Sequence, residues 1–119
     1  MTSNRVVVLA GGLSHERDVS LRSGRRVAEA LREAGAEADV RDVDADLLRL
    51  LRDDPPDCVL PMLHGETGED GAVREVLELV GLPYVGSRPS ACRAAFDKPV
   101  AKAVVARVGI RTPAGVTLP

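Results

Sequence analysis

Apolar and polar positions along the chain change period several times, and each change marks an element. Residues 5–10 form a short, mostly β-branched run that ends in Gly11-Gly12. A strand covered on both faces reads this way, as in a parallel sheet under helices. Over 19–34 the period becomes helical, with Val27, Ala30, Leu31 and Ala34 on one stripe and Arg22, Arg25, Arg26, Glu29 and Glu33 turned outward. Asp18 is the predicted N-cap and Gly35 the predicted stop. Residues 36–43 alternate, which predicts a second, less buried strand, and 45–52 predict a short helix ended by Asp53-Asp54-Pro55-Pro56. The third strand is predicted over 58–63, where Pro61 argues for an edge or a bend. A helix over 71–80, stopped by Gly81, precedes a short fourth strand over 82–85. A last helical stretch runs over 89–108 with a break near Pro99, and Gly109 caps it.

Strand, helix, strand, helix at this spacing predicts a Rossmann-like α/β domain: about four mostly parallel strands with helices on both faces. Ligands in such sheets bind at the carboxyl ends of the strands. Those ends are 11–16, 42–44, 64–71 and 86–87. Both histidines of the protein, His15 and His64, and most of its glycine fall on this one edge.

Composition narrows the function classes. At 119 residues there is room for one ordinary domain. A formal net charge of −2 speaks against a nucleic-acid partner, which would need a basic face to displace counterions. No uncharged apolar stretch approaches the ~20 residues of a membrane-crossing helix, and no secretory leader pattern precedes the first strand. Cys58 and Cys92 lack paired-thiol spacing and read as free thiols in a reducing cytoplasm. Lys98 and Lys102 are the only lysines among 16 basic residues, so each draws attention.

Several chemistries fail on spacing. A dinucleotide site wants G-x-G-x-x-G after the first strand, and here no third glycine follows Gly11-Gly12 until Gly24. Asp42 or Asp44 could anchor a ribose, but aspartate after a strand is common. No Walker loop occurs. A phospho-receiver needs an acidic pair after the first strand and an acceptor aspartate after the third, and this chain has Ala10-Gly11-Gly12 and His64-Gly65 there. His15, His64, Cys58 and Cys92 have no zinc spacing. Taken singly, His15 reads as a surface histidine, Glu16 as a first-turn carboxylate favoured by the helix dipole, and Lys98 as a first-turn surface lysine. His64 stands apart, because a strand-end histidine before Gly-x-x-Gly can lean over a ligand unhindered.

Together these stretches resemble the D-alanine–D-alanine ligases of the ATP-grasp superfamily. Residues 9–24, with Gly11-Gly12, Ser14, Glu16 and Val19-Ser20, are similar to that family's G-G-x-S-x-E-x-x-V-S opening. His64-Gly65-Glu66-Thr67-Gly68-Glu69-Asp70-Gly71 matches its H-G-x-x-G-E-D-G loop. Pro83-Tyr84-Val85-Gly86-Ser87 and Asp97-Lys98 with Lys102 match its P-Y-x-G-S and D-K-x-x-x-K stretches. Phe96 stands where many members carry methionine.

The resemblance implies a ligase that uses ATP and Mg²⁺ (or Mn²⁺) to activate one D-alanine as an acyl phosphate. It then joins that to a second D-alanine for peptidoglycan. The residue matching Glu16 receives the ammonium of the first D-alanine. His64 lies beside the same substrate, Val19 lines its pocket and Lys98 reaches ATP phosphates. No metal ligand is assigned to this chain. By the same resemblance, residues 1–108 are an N-terminal substrate-binding domain and 109–119 the connection toward an ATP-grasp domain. The fragment alone is then expected to be inactive and to bind neither ATP nor metal tightly. The complete ligase is expected to be a cytoplasmic homodimer. A second reading, of another class, is a stand-alone binding or dimerisation module without catalysis.

Overall fold

A computed structural model describes residues 4–119. Three parallel strands, β1 (Arg5–Leu9), β2 (Glu37–Arg41) and β3 (Cys58–Pro61), form a sheet in the order β2-β1-β3. Around it lie α1 (Arg17–Glu33), α2 (Leu47–Asp53), α3 (Ala72–Leu79), α4 (Pro89–Phe96) and α5 (Lys98–Ala106). β1 is central, in register from Arg5 opposite Glu37 to Leu9 opposite Arg41, and from Val6 opposite Cys58 to Leu9 opposite Pro61. The predicted fourth strand shrinks to a single parallel bridge between Val59 and Tyr84. Pro83 and Gly86 bracket it, and the two residues between such breakers leave little to extend a ladder.

Period-2 alternation in β1 sorts its side chains between two cores. Val7 and Leu9 join Leu47, Leu51, Val59, Leu63, Val73 and Leu77 in one. Val8, with Val6 beside it, joins Ala28 and Ala38 under α1 in the other. Helices therefore cover both faces, as the uninterrupted apolar run predicts. Val8, Leu9, Val59 and Leu77 are fully buried, each contributing about 1.5–3 kcal/mol of transfer free energy.

The helix α1 begins earlier than its pattern predicts, and of the predicted stripe Val27 and Leu31 pack against the core while its most buried face is rotated. Glu16, not Asp18, takes the N-cap position, and Asp18 sits in the first turn. The buried face is Ser20, Gly24 and Ala28, whereas Ala30 and Ala34 are exposed. Small residues at i, i+4 and i+8 let the helix axis approach the sheet, so contact distance rather than apolar count selects the face. A Cβ at Gly24 would stand 2.4 Å from that of Ala10. At its other end, Gly35 and Ala36 return N–H bonds to the carbonyls of Arg32 and Leu31, both 3.0 Å, with Gly35 at φ +90°. Only glycine takes that conformation without strain.

Pro61 ends β3 on its outer side. Val59 exchanges bonds with Pro83 and Val85 there at 2.8 and 2.9 Å. Pro61, two residues on, faces the same way past that short pairing, so its missing N–H leaves no ladder bond unmade. The last helical stretch breaks at Asp97, whose carboxylate accepts from Val100 N–H at 3.2 Å and starts α5 with Pro99 in its first turn. Residues 110–119 carry no regular structure. Both cysteines are free and half-buried. No helix among the described residues is long and apolar enough to cross a membrane.

Candidate functional site

The ends of β1 and β3 open into two loops that lie against each other. Ser14 joins them: its hydroxyl donates to the His64 carbonyl at 2.7 Å and accepts from Glu16 N–H at 3.1 Å. Glu16 is thereby turned toward Gly65. A Cβ at Gly65 would stand 3.0 Å from Glu16 Oε2 and 2.9 Å from Ser14 Oγ, and Gly65 also has φ +80°. Glycine is required there twice over, by conformation and by the approach of the carboxylate.

The loop over 64–71 is folded on itself. Glu69 Oε2 accepts from Gly65 N–H at 2.9 Å, Gly68 lies tight against Leu63, and Thr67 takes a positive φ of 62°. The His64 ring is half-buried. Its Nε2 is 3.3 Å from Ser23 Oγ on α1, and its Nδ1 is 3.9 Å from Glu69 Oε1. Arg74 Nη1, from α3, donates to the Gly68 carbonyl at 2.8 Å.

Glu16, Glu66 and Glu69 share an open cleft of about 680 Å³ with His15, Phe96 and Lys98. Carboxylates on one side and an ammonium on the other suit a ligand that carries both charges. His64 faces an adjoining cleft of about 670 Å³, which shares Glu69, Phe96 and Lys98 with the first. Val19 is half-exposed and lies elsewhere, in a separate groove along α1 with Ser23, Val27 and Met62. Thus Glu16, His64 and Lys98 converge around Glu69, while Val19 meets His64 only through its groove neighbour Ser23. Lys98 stands exposed at the start of α5. Among the described residues no group of three or more His, Cys, Asp or Glu side chains is placed to hold a metal ion.

Three structural supports escape the sequence reading. Ser20 is completely buried, accepts from Gly11 N–H at 2.8 Å and donates to the Met62 carbonyl at 2.7 Å, tying the two loop origins together. Its signal is a polar residue in register with Gly24 and Ala28. Asp42, a candidate ribose anchor by position, is engaged instead by Gly12 N–H at 2.8 Å and by Arg17 at 2.6 Å. Arg74 has no local signal, because its partners lie in separate loops.

The family described as D-ala D-ala ligase N-terminus matches residues 35–87. The D-alanine--D-alanine ligase of Paramagnetospirillum magneticum is 50% identical over 111 residues, covering 91% of this chain and 36% of that protein. The Aquifex aeolicus ligase is 47% identical over 109 residues, covering 92% and 38%. This chain therefore spans little more than a third of the length of these relatives. The crystal structure of the Bacillus anthracis ligase complexed with ATP superposes with a TM-score of 0.85 at 32% identity, over 96% of this chain and 38% of that one. The Aeromonas hydrophila ligase gives 0.85 at 30%, over 97% and 50%. Sequence and fold agree, and by both this chain is the counterpart of the N-terminal domain of the D-alanine--D-alanine ligases.

Proposed function

We propose that this domain forms the first-substrate side of an ATP-dependent D-alanine–D-alanine ligase. What supports the reading is one juxtaposition: the Glu16 carboxylate packed on Gly65, in the same cleft as Lys98. Glu16 pairs with the ammonium of the first D-alanine, and His64 flanks the same substrate across Glu69. Val19, in the neighbouring groove, reaches the substrate side only through Ser23 and His64. Lys98 places a point charge on phosphate oxygens, a role that suits an exposed ammonium at the cleft rim. Bound ATP would supply the phosphoryl group that activates the substrate carboxylate. The nucleotide base, the Mg²⁺ and the second D-alanine belong to ATP-grasp domains outside these residues, so the 119-residue chain alone is inactive. Those domains would cover α5, which buries no residue and exposes Val100, Val104 and, beyond its end, Val108 and Ile110. The complete enzyme is a cytoplasmic homodimer in this reading.

Steady-state kinetics of the complete ligase, with each substrate varied in turn, test the assignment. Glu16→Gln keeps the shape and removes the charge. Losing a charge-assisted hydrogen bond of about 1.5–3 kcal/mol weakens use of the first D-alanine roughly 10- to 150-fold, with the KM for ATP unmoved. Lys98→Ala gives the reverse pattern. A Glu16→Gln enzyme that melts earlier yet keeps its D-alanine constant would reduce Glu16 to a helix-terminus carboxylate.

A further inference from the structure

Arg74 stands in the wall of the His64 cleft, yet nothing in the ligase reading uses it. Its guanidinium is divided between two loops. Nη1 donates to the Gly68 carbonyl, in the middle of the 64–71 loop. The other edge of the group, Nε and Nη2, is turned against Gly86: a Cβ there would stand 3.0 Å from Nη2 and 3.2 Å from Nε, nearer than the 3.5 Å to Cζ, and Gly86 has φ +124°. Nε is buried without a hydrogen-bond partner. A buried donor left unmade is a cost that needs a reason. The geometry offers one, since the Nε edge faces Gly86, and turning it toward a carbonyl would break that contact or pull Nη1 from Gly68.

Several bonds hold the 64–71 loop. Ser14 fixes its start at the His64 carbonyl, and Glu69 folds back on Gly65 N–H. Val73 N–H bonds its middle at the Thr67 carbonyl (3.3 Å), and Arg74 ties that middle to a further segment, the 86–87 bend that leads into α4 and on to Lys98. We propose that Arg74 is a positioning residue, a clip between the 64–71 loop and the 86–87 bend that keeps His64 and Glu69 facing Lys98 across the cleft. It touches no substrate and acts through those side chains. The kinetic consequence rests on the ligase reading above; the clip itself does not.

Two measurements separate these. In the 119-residue chain, Arg74→Ala is expected to shift the His64 ring signals and the Gly68 and Gly86 amide signals in NMR spectra, leaving the β1 amides in place. In the complete ligase the same change is expected to lower kcat/KM for D-alanine about 10- to 100-fold, as a misplaced group does, with the KM for ATP nearly constant. Arg74→Lys keeps a donor for Gly68 but loses the Nε–Nη2 edge against Gly86, and should recover part of both effects. If Arg74→Ala fails to fold, Arg74→Lys carries the test by the same readouts. Unmoved His64 signals, or a loss that falls equally on both substrates and follows the melting temperature, would overturn the clip. A wild-type ligase that forms no dipeptide would sink the functional reading, and the His64 signals would still decide the role of Arg74.

Discussion

Gly12 and Val43 both direct their backbone N–H groups at one oxygen of Asp42, at 2.8 and 2.7 Å, while Arg17 closes on the other at 2.6 Å. Partial burial pushes this carboxyl upward, but the hydrogen bonds from Gly12, Arg17 and Val43 outweigh it and hold the group below its ordinary range. The unfolded chain, with an aspartate near 3.9, therefore takes up the proton first on acidification. The stabilisation is whole above that value and is lost as pH falls through the folded pKa. Asp42→Ala is expected to cost about 1.5–3 kcal/mol at neutral pH, the worth of hydrogen bonds to a charged group. Urea melts at pH 7 and pH 3 check this: the gap between wild type and variant should narrow at the lower pH. Gly11 belongs to the same arrangement, since a Cβ there would lie 2.6 Å from Asp42 Oδ1.

Between elements, the tightest contact is that of α1 on β1. In an isolated helix, alanine is worth about 1 kcal/mol more than glycine at an interior position. At Gly24 packing reverses the sign, because the added methyl would meet Ala10 Cβ at 2.4 Å and must push the helix off the strand. Gly24→Ala is expected to destabilise by about 1–3 kcal/mol, the range for overpacked cores. Adding Ala10→Gly should recover part of the loss, a coupling that a double-mutant cycle by chemical denaturation measures directly. The outer edge of β2 is managed by the same helix. Arg32 Nε donates to the Ala38 carbonyl at 2.8 Å, covering an edge acceptor that would otherwise invite another strand.

As a whole the chain exposes 8385 Å², where a compact monomer of its mass would expose about 6200 Å². Its last quarter contributes to that excess. α5 has no buried residue, Val104 is half-exposed, and residues 110–119 are exposed throughout. Phosphoryl transfer needs phosphates and metal held in line, and in the ligase reading Lys98 is the residue of these clefts that reaches the phosphates. The 119-residue chain supplied with ATP, Mg²⁺ and D-alanine is therefore expected to release no phosphate above a buffer control. Turnover above that control would place the chemistry within this domain.

The sequence by itself determined the parallel α/β class, the burial of β1 on both faces, the glycine stops at 35 and 81 and the break near Pro99. Each follows from local periodicity or from a backbone conformation that few residues adopt. It also brought Glu16, His64 and the glycine-rich loop to one sheet edge, because the carboxyl ends of parallel strands share an edge by topology. Only the tertiary structure decided that Ser20, Gly24 and Ala28 form the inner face of α1, since closeness to Ala10 is invisible to a hydrophobic pattern. Only it reduced the fourth strand to one bridge, set Val19 in a groove of its own and gave Arg74 two loops to hold. Those outcomes depend on distances between residues far apart in the chain, which no local spacing encodes.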